Sequence, residues 1–241
     1  MPASPHLKVQ FQHRLGTLEL DVNFASSAPW TILFGASGSG KSTVLRAIAG
    51  VVNPNSGRIV IDNTVVFDSR SGICLPPHKR RIRWAPQRAM LFPHLTIRQN
   101  LALGVAGAEN SEGVEDLVRH FKLMDLVDRR PSELSGGERH RISVIRAAAA
   151  PGRAGLLLLD EPFTGLDASV RDRLIAELRT WRGSLPVVSV THDVGEAFLL
   201  DAEVIRIGDG QILDQGPAGD VLAPDRAKLL RALGPGEPSH Q

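Results

Sequence analysis

Apolar residues alternate with polar ones at Leu7, Val9 and Phe11, and again at Leu18, Leu20, Val22 and Phe24. This period of two predicts a pair of half-buried strands around a turn at Gly16. Trp30 to Phe34 reads as a more fully buried strand, and after the glycine-rich Gly35 to Gly40 a helical pattern runs through Val44, Leu45 and Ile48 to end near Gly50. Arg58 to Asp62 and Val65 to Asp68 predict a second hairpin. Val114, Leu117, Val118, Phe121 and Leu126 carry helical spacing through a more polar middle section. From Gly155 the pattern returns to a buried strand (Leu156 to Leu159), an amphipathic helix (Val170, Leu174, Leu178, Trp181) and another strand (Val187 to Val190). Strand and helix alternating in this way predict a parallel sheet with crossover helices. Asp209-Gly210 predicts a last hairpin, and the Pro- and Gly-containing segment 234–241 a flexible tail.

Composition narrows the function classes. At 241 residues, with 42% hydrophobic and 22% charged side chains, the chain suits one soluble globular domain. A net charge of +2 gives no reason to expect nucleic acid as a partner. Cys74 is the single cysteine, which excludes an intramolecular disulfide and a cysteine-based zinc cluster. The longest apolar runs fall far short of the ~20 residues that a bilayer span needs. The opening Met-Pro-Ala-Ser-Pro-His lacks the pattern of a secretory signal, so a cytosolic location is expected, with any membrane role through partners.

Between the strand ending at Phe34 and the following helix, Gly35-Ala-Ser-Gly-Ser-Gly-Lys-Ser42 matches G-x-x-x-x-G-K-[ST] at every fixed position. Gly35, Ala36, Ser37, Gly38, Ser39, Gly40, Lys41, Ser42 and Thr43 are therefore the expected phosphate cradle of a nucleoside triphosphate. The glycines let the backbone amides point at phosphate oxygens, and the helix start adds its positive dipole end. Lys41 would reach the β- and γ-phosphates, and Ser42 would give an oxygen to Mg²⁺. The bland alternative is a flexible Gly/Ser turn.

A second strand, Leu156 to Leu159, ends abruptly in Asp160-Glu161-Pro162. Ligands of open parallel sheets lie beyond the carboxyl ends of strands, so Asp160 is expected at Mg²⁺ and Glu161 at the attacking water. His192, after the strand that ends at Val190, should emerge at the same edge and touch the γ-phosphate. Gln87 stands on a loop, where spacing alone leaves it a solvated side chain or a ligand. In Leu134 to Arg141, Ser135 followed three residues later by Glu138 reads as a capping box at a helix start. Gly136 and Gly137 are not needed by a cap, and they would let a phosphate approach bare amides.

With the P-loop, Gln87, Leu134 to Glu138, Leu156 to Pro162, Leu166-Asp167 and His192 in this order, residues 7–222 resemble the nucleotide-binding subunit of an ATP-binding cassette (ABC) transporter. The resemblance implies a P-loop NTPase fold of the α/β class, with a RecA-like core, an antiparallel β subdomain and an inserted α-helical signature subdomain. One domain over 1–233 is implied, with 1–87 and 147–222 as core and 88–146 as helical subdomain. It further implies ATP and Mg²⁺ as cofactors, Glu161 as catalytic base, His192 as switch histidine, and Ser42, Gln87 and Asp160 near the metal. Asp167 would stand at a dimer seam. Two subunits would meet head to tail, with Ser135, Gly136, Gly137 and Glu138 of one contacting the ATP of the other.

Gly72 to Ile82 and Ala89 to Leu95 are similar to the matching stretches of molybdate importer ATPases. They imply an oxyanion importer with molybdate or tungstate as the leading cargo, and the wider resemblance implies a homodimer at the inner face of the membrane, an integral permease, and indirectly a periplasmic or extracellular substrate-binding protein. The β-rich C-terminal regulatory domain often found in such ATPases is not expected within these residues, whether the protein is a short form or the sequence is trimmed. Glu138 stands where glutamine is commonest, Arg83 and Pro86 depart from the usual pattern before Gln87, and Leu15 stands where an aromatic usually stacks on adenine. Two other classes stay open: a non-transport ABC ATPase and a regulatory module that holds ATP without turnover. Ala89 to Leu95 reads either as part of a permease-binding groove or as core.

Overall fold

Two strands, β1 (Leu7–Leu15) and β2 (Leu18–Ser26), pair antiparallel in the computed structural model, which describes residues 5–105, 111–149 and 155–233. The segment 234–241, expected to be a flexible tail, lies outside the described residues. β3 (Trp30–Phe34) and α1 (Lys41–Ala49) follow, then β4 (Ser56–Ile61), β5 (Thr64–Asp68), β6 (Ile73–Cys74) and β7 (Ile82–Ala85). α2 (Ile97–Ala102), α3 (Ser111–His120) and α4 (Gly136–Ala148) come next. The chain then alternates through β8 (Leu156–Asp160), α5 (Ala168–Trp181), β9 (Val187–Thr191) and α6 (Val194–Leu199). It finishes with β10 (Glu203–Gly208), β11 (Gln211–Pro217), α7 (Ala218–Val221) and α8 (Ala223–Leu233).

The eleven strands among the described residues join one sheet in the order β6-β5-β4-β1-β2-β11-β10-β3-β9-β8-β7. The antiparallel part is thus continuous with the parallel part rather than a separate sheet. The junction is narrow: β11 meets β2 through Gln211 opposite Asp21, with the Asp21 amide donating to the Gly210 carbonyl at 2.8 Å. A Cβ on Gly210 would sit 2.1 Å from the Glu19 carbonyl oxygen, so this close approach requires glycine. Asp209 and Gly210 both have positive φ (47° and 80°), the backbone that a tight hairpin turn of this hand needs.

β3, β8 and β9 are buried at every residue, and their side chains alternate between two cores. Trp30, Ile32, Leu157, Leu159 and Val187 face one cluster, shared with Ile142 and Ile145 of α4 and Leu174 of α5. Leu33, Leu156, Leu158, Val188 and Val190 face the other, packed against Val44, Leu45 and Ile48 of α1 and the hairpin strands. The helical middle section adds Val114, Leu117, Val118 and Phe121 to the first cluster, so it shares its core with the sheet.

The helical spacing from Val114 to Leu126 overshoots the helix, which ends at His120. Lys122 takes a left-handed φ of 50°, and the Leu123 amide turns back to the Val118 carbonyl at 2.9 Å. Leu123 and Val127 reach the same core from turns, which is why apolar spacing continues past the helix.

Parallel register decides what meets at the carboxyl edge of the sheet. Phe34 lies opposite Thr191, Asp160 opposite Val190, and Ala85 opposite Leu159. The segments that begin at Gly35, Glu161, His192 and Pro86 therefore leave the sheet side by side.

Candidate functional site

Gly35 to Gly40 forms a curl, with the Ser39 amide donating to the Ala36 carbonyl at 3.2 Å and Gly38 and Gly40 at φ 84° and 101°. A Cβ on Gly40 would lie 2.2 Å from Leu20 Cδ2, so the hairpin presses the loop against α1. Lys41 is buried, and its Nζ donates to the carbonyls of Gly35 (2.8 Å) and Ala36 (2.6 Å). Its ammonium is thus held inside the curl. Burial lowers the Lys41 pKa, against opposition from the Glu161 and Asp160 charges.

Ser42 Oγ donates to Asp160 Oδ1 at 2.9 Å. Asp160 is only 1% exposed, and its Oδ2 has no hydrogen-bond partner among the described residues. Desolvation pushes its carboxyl above the usual aspartate range, with the Ser42 bond acting the other way. The Ser39 hydroxyl is likewise buried and unpaired. A buried cation, a buried carboxyl and two orphaned oxygens together disfavour this cradle as it stands. A phosphate chain and a divalent cation would supply the missing charges.

Glu161 is the residue on which the other expected groups converge. Gln87 Nε2 donates to its Oε2 at 3.1 Å, and Thr164 Oγ1 donates to the same oxygen at 3.3 Å. His192 Nδ1 lies 3.9 Å from Oε1, with the imidazole well exposed. The backbone at Glu161 has φ 50°, a left-handed conformation that costs a non-glycine residue about 1 kcal/mol or more. Its amide donates to the Val190 carbonyl at 3.1 Å, and its carbonyl lies 3.0 Å from His140 Nε2. The strained turn is thus tied to β9 on one side and α4 on the other.

The structure accordingly brings together Gly35 to Thr43, Gln87, Asp160, Glu161 and His192. Ser135 and Glu138 instead bond to one another: the Glu138 amide donates to Ser135 Oγ at 3.2 Å and the Ser135 amide to Glu138 Oε2 at 2.8 Å. Hydrogen bonding to its carboxylate, first from the Ser135 amide and then from the Ser135 side chain, holds the Glu138 carboxyl below its usual pKa. Gly137 packs on the next loop, where a Cβ would come within 2.9 Å of the Gly165 carbonyl oxygen, while Gly136 is open. Asp167 sits exposed at the start of α5 and makes no side-chain cap bond. Leu15 is 50% exposed at the β1–β2 tip.

Phe92 and Met90 are exposed, so the segment Ala89 to Leu95 is not core at these two side chains. Buried Asn100 holds its backbone, accepting from the Phe92 amide and donating to the Phe92, Leu95 and Thr96 carbonyls. Arg146 lies over the Phe92 ring, 5.8 Å from its centroid.

Sequence reasoning missed Thr164 and His140, whose contacts to Glu161 depend on how separate elements pack. It also missed Arg80. This guanidinium is 2% exposed and donates from Nη1 to the Ala47 (2.8 Å) and Ile48 (3.0 Å) carbonyls at the end of α1, and from Nε to Leu75 (2.7 Å). It closes the C-terminal end of the helix that begins in the P-loop. No local pattern marks an arginine that turns inward.

Residues 20–164 match the family described as ABC transporter. The molybdenum import ATP-binding protein ModC of Rhodospirillum rubrum is 42% identical over 223 residues, covering 90% of this chain and 60% of that protein. The protein of the same name from Rhizobium etli is 37% identical over 222 residues, covering 90% and 62%. The chain thus spans about three fifths of the length of these curated relatives. Among solved structures, a dimeric ATP-binding cassette in a post-hydrolysis state with ADP and Pi superposes with a TM-score of 0.72 at 26% identity, covering 88% of this chain and 98% of that one. An ATP-binding subunit of an ABC transporter gives 0.73 at 22% identity, covering 91% and 93%.

Proposed function

Because the chain belongs to the ABC transporter family, we propose that it is the ATP-hydrolysing nucleotide-binding subunit of an importer, energising uptake of an oxyanion, molybdate, through a separate membrane permease. The observation that carries the reading is the convergence of Gln87, Thr164 and His192 on the Glu161 carboxylate, beside the buried Lys41 and Asp160. In it, Gly35 to Thr43 wrap the phosphates and Lys41 exchanges two loop carbonyls for phosphate oxygens. Glu161 takes the proton of the water that attacks the γ-phosphorus as ADP leaves. His192, beside that carboxylate, holds the γ-phosphate.

The donor set fits Mg²⁺: Ser42 Oγ and Asp160 are hard oxygen ligands, one Asp160 oxygen is buried without a partner, and the Gln87 amide oxygen is a third donor nearby. When bound, the ion would neutralise charge on the phosphate oxygens. Ser135, Gly136, Gly137 and Glu138 would contact ATP held by a second copy, with Asp167 at the seam between the two. Residues 88–146 would form the helical subdomain, with exposed Met90 and Phe92 toward the permease. No helix among the described residues is long and apolar enough to cross a membrane, in keeping with attachment at the inner face through that permease. A periplasmic or extracellular binding protein would deliver the cargo.

The test is the assembly state of a Glu161→Gln variant in saturating Mg-ATP. The reading expects dimers with ATP and monomers without it, with Lys41→Ala monomeric throughout. A Glu161→Gln chain that stays monomeric would remove the shared site, and unchanged ATP affinity in Lys41→Ala would remove the P-loop assignment. Molybdate-stimulated turnover with the permease and binding protein present tests the cargo; turnover with no dependence on them favours a non-transport ATPase.

A further inference from the structure

Flanking His192 is a set of polar contacts that none of these roles uses. Asp193 follows it, and Asp193 Oδ1 accepts from the amides of Gly195 (2.6 Å) and Glu196 (3.2 Å), capping α6. The Asp193 amide donates to Thr191 Oγ1 at 3.0 Å. The Glu196 side chain, at the start of α6, is 6% exposed. Both neighbours of His192 are therefore fixed from within the turn. On the far side, Asp193 Oδ2 receives Arg171 Nη1 at 3.4 Å. Arg171 belongs to the first turn of α5, where its amide donates to the Asp167 carbonyl at 2.9 Å, and its Nε is steadied by Asp172 at 2.9 Å.

A half-exposed ion pair of this kind adds little to stability. Its geometric effect is larger, because it is a direct side-chain link between the segment that carries Asp167 and the turn that carries His192. We propose that Arg171 and Asp193 are positioning residues that couple the start of α5 to the His192 turn, so that a displacement of the Asp167 segment moves His192 relative to Glu161. This rests on the reading of His192 and Glu161 as the hydrolytic pair. Neither residue is asked to touch the nucleotide.

The test compares Arg171→Ala, Arg171→Lys, Asp193→Asn and the Arg171→Ala/Asp193→Asn double variant of the full chain, measuring kcat and KM for Mg-ATP separately. Asparagine keeps an acceptor for the α6 cap while removing the charge that faces Arg171. The coupling expects Arg171→Ala and Asp193→Asn each to lower kcat about tenfold with KM within about twofold. Lysine should restore most of the loss, and the double variant should be no slower than either single, as for two ends of one contact. Undiminished kcat in Arg171→Ala, or losses that multiply in the double variant, would overturn it. Wild-type chain that fails to turn over Mg-ATP both alone and with its permease would instead sink the hydrolytic reading, whereas active wild type with unaffected variants sinks the coupling alone.

Discussion

Glu196 gives the most quantitative prediction. Its side chain is 6% exposed, and burial pushes its pKa up to about 7 from an ordinary 4.5, only partly offset by the Thr191 hydroxyl. The folded state thus binds a proton more tightly than the unfolded state. The associated stability is fully present below about pH 4.5 and is lost as pH rises through about 7. A shift of this size corresponds to about 3 kcal/mol at the limit, of which about 2 kcal/mol falls between pH 5.5 and 8. Glu196→Gln keeps the volume and a hydrogen-bonding amide but cannot ionise. Urea denaturation of both proteins at the two pH values, without nucleotide, isolates the effect, because every other titrating group is common to both. Wild type should lose about 2 kcal/mol relative to the variant on going from pH 5.5 to 8. A stability difference that does not change with pH would refute the reasoning, since it would mean that Glu196 titrates alike in both states.

The other predictions concern the ends of two helices. Arg80→Met should cost about 2–3 kcal/mol in urea denaturation, because the Ile48 and Leu75 carbonyls lose the guanidinium and the Ala47 carbonyl keeps only the Gly50 amide, and Arg80→Lys should not restore it; a neutral Met variant would mean that burying the cation costs as much as its bonds return. Ser135→Ala should lower the melting temperature by removing the α4 cap, worth about 1 kcal/mol, and an unaltered transition would show the cap to be idle. Gly136→Ala should leave the fold as stable or about 0.5–1 kcal/mol more so, yet weaken ATP-driven dimerisation of the Glu161→Gln chain; full dimerisation would remove Gly136 from the proposed half-site. Gly137→Ala should destabilise the monomer by denaturation, because its Cβ meets the Gly165 carbonyl at 2.9 Å, and a stable Ala variant would show that the loop yields freely.

What the sequence made legible was whatever is encoded locally. β3, β8 and β9 stand out because a strand buried on both faces must be apolar throughout, and the P-loop and the Asp160-Glu161 pair are contiguous motifs at such strand ends. α2 has six residues, too few for periodicity, and was not foreseen; in the structure Thr96 and Gln99 form its capping box. α6 is equally short and was not foreseen either; Asp193 caps it by accepting from the Gly195 and Glu196 amides. Contacts that join distant segments left no local trace: Arg80 on α1, Arg171 on Asp193, Thr164 and His140 on Glu161. Continuity of the sheet was also out of reach, since it rests on one residue pair between β2 and β11.

The start of α4 shows how far local and nonlocal causes can be separated. Reciprocal bonds between Ser135 and Glu138 account for those two residues and their spacing. Gly137 is accounted for by the Gly165 carbonyl that a side chain would strike. Gly136 is different: it is exposed, helical, and nothing comes nearer to a built Cβ than Arg139 Nη2 at 4.0 Å. Alanine would cost no contact there and would recover about 0.5–1 kcal/mol of backbone entropy. Neither the cap nor the packing of this chain asks for glycine at that position. An exposed helix start that keeps its first residue bare at a cost in stability is what a phosphate approaching from a second copy would require.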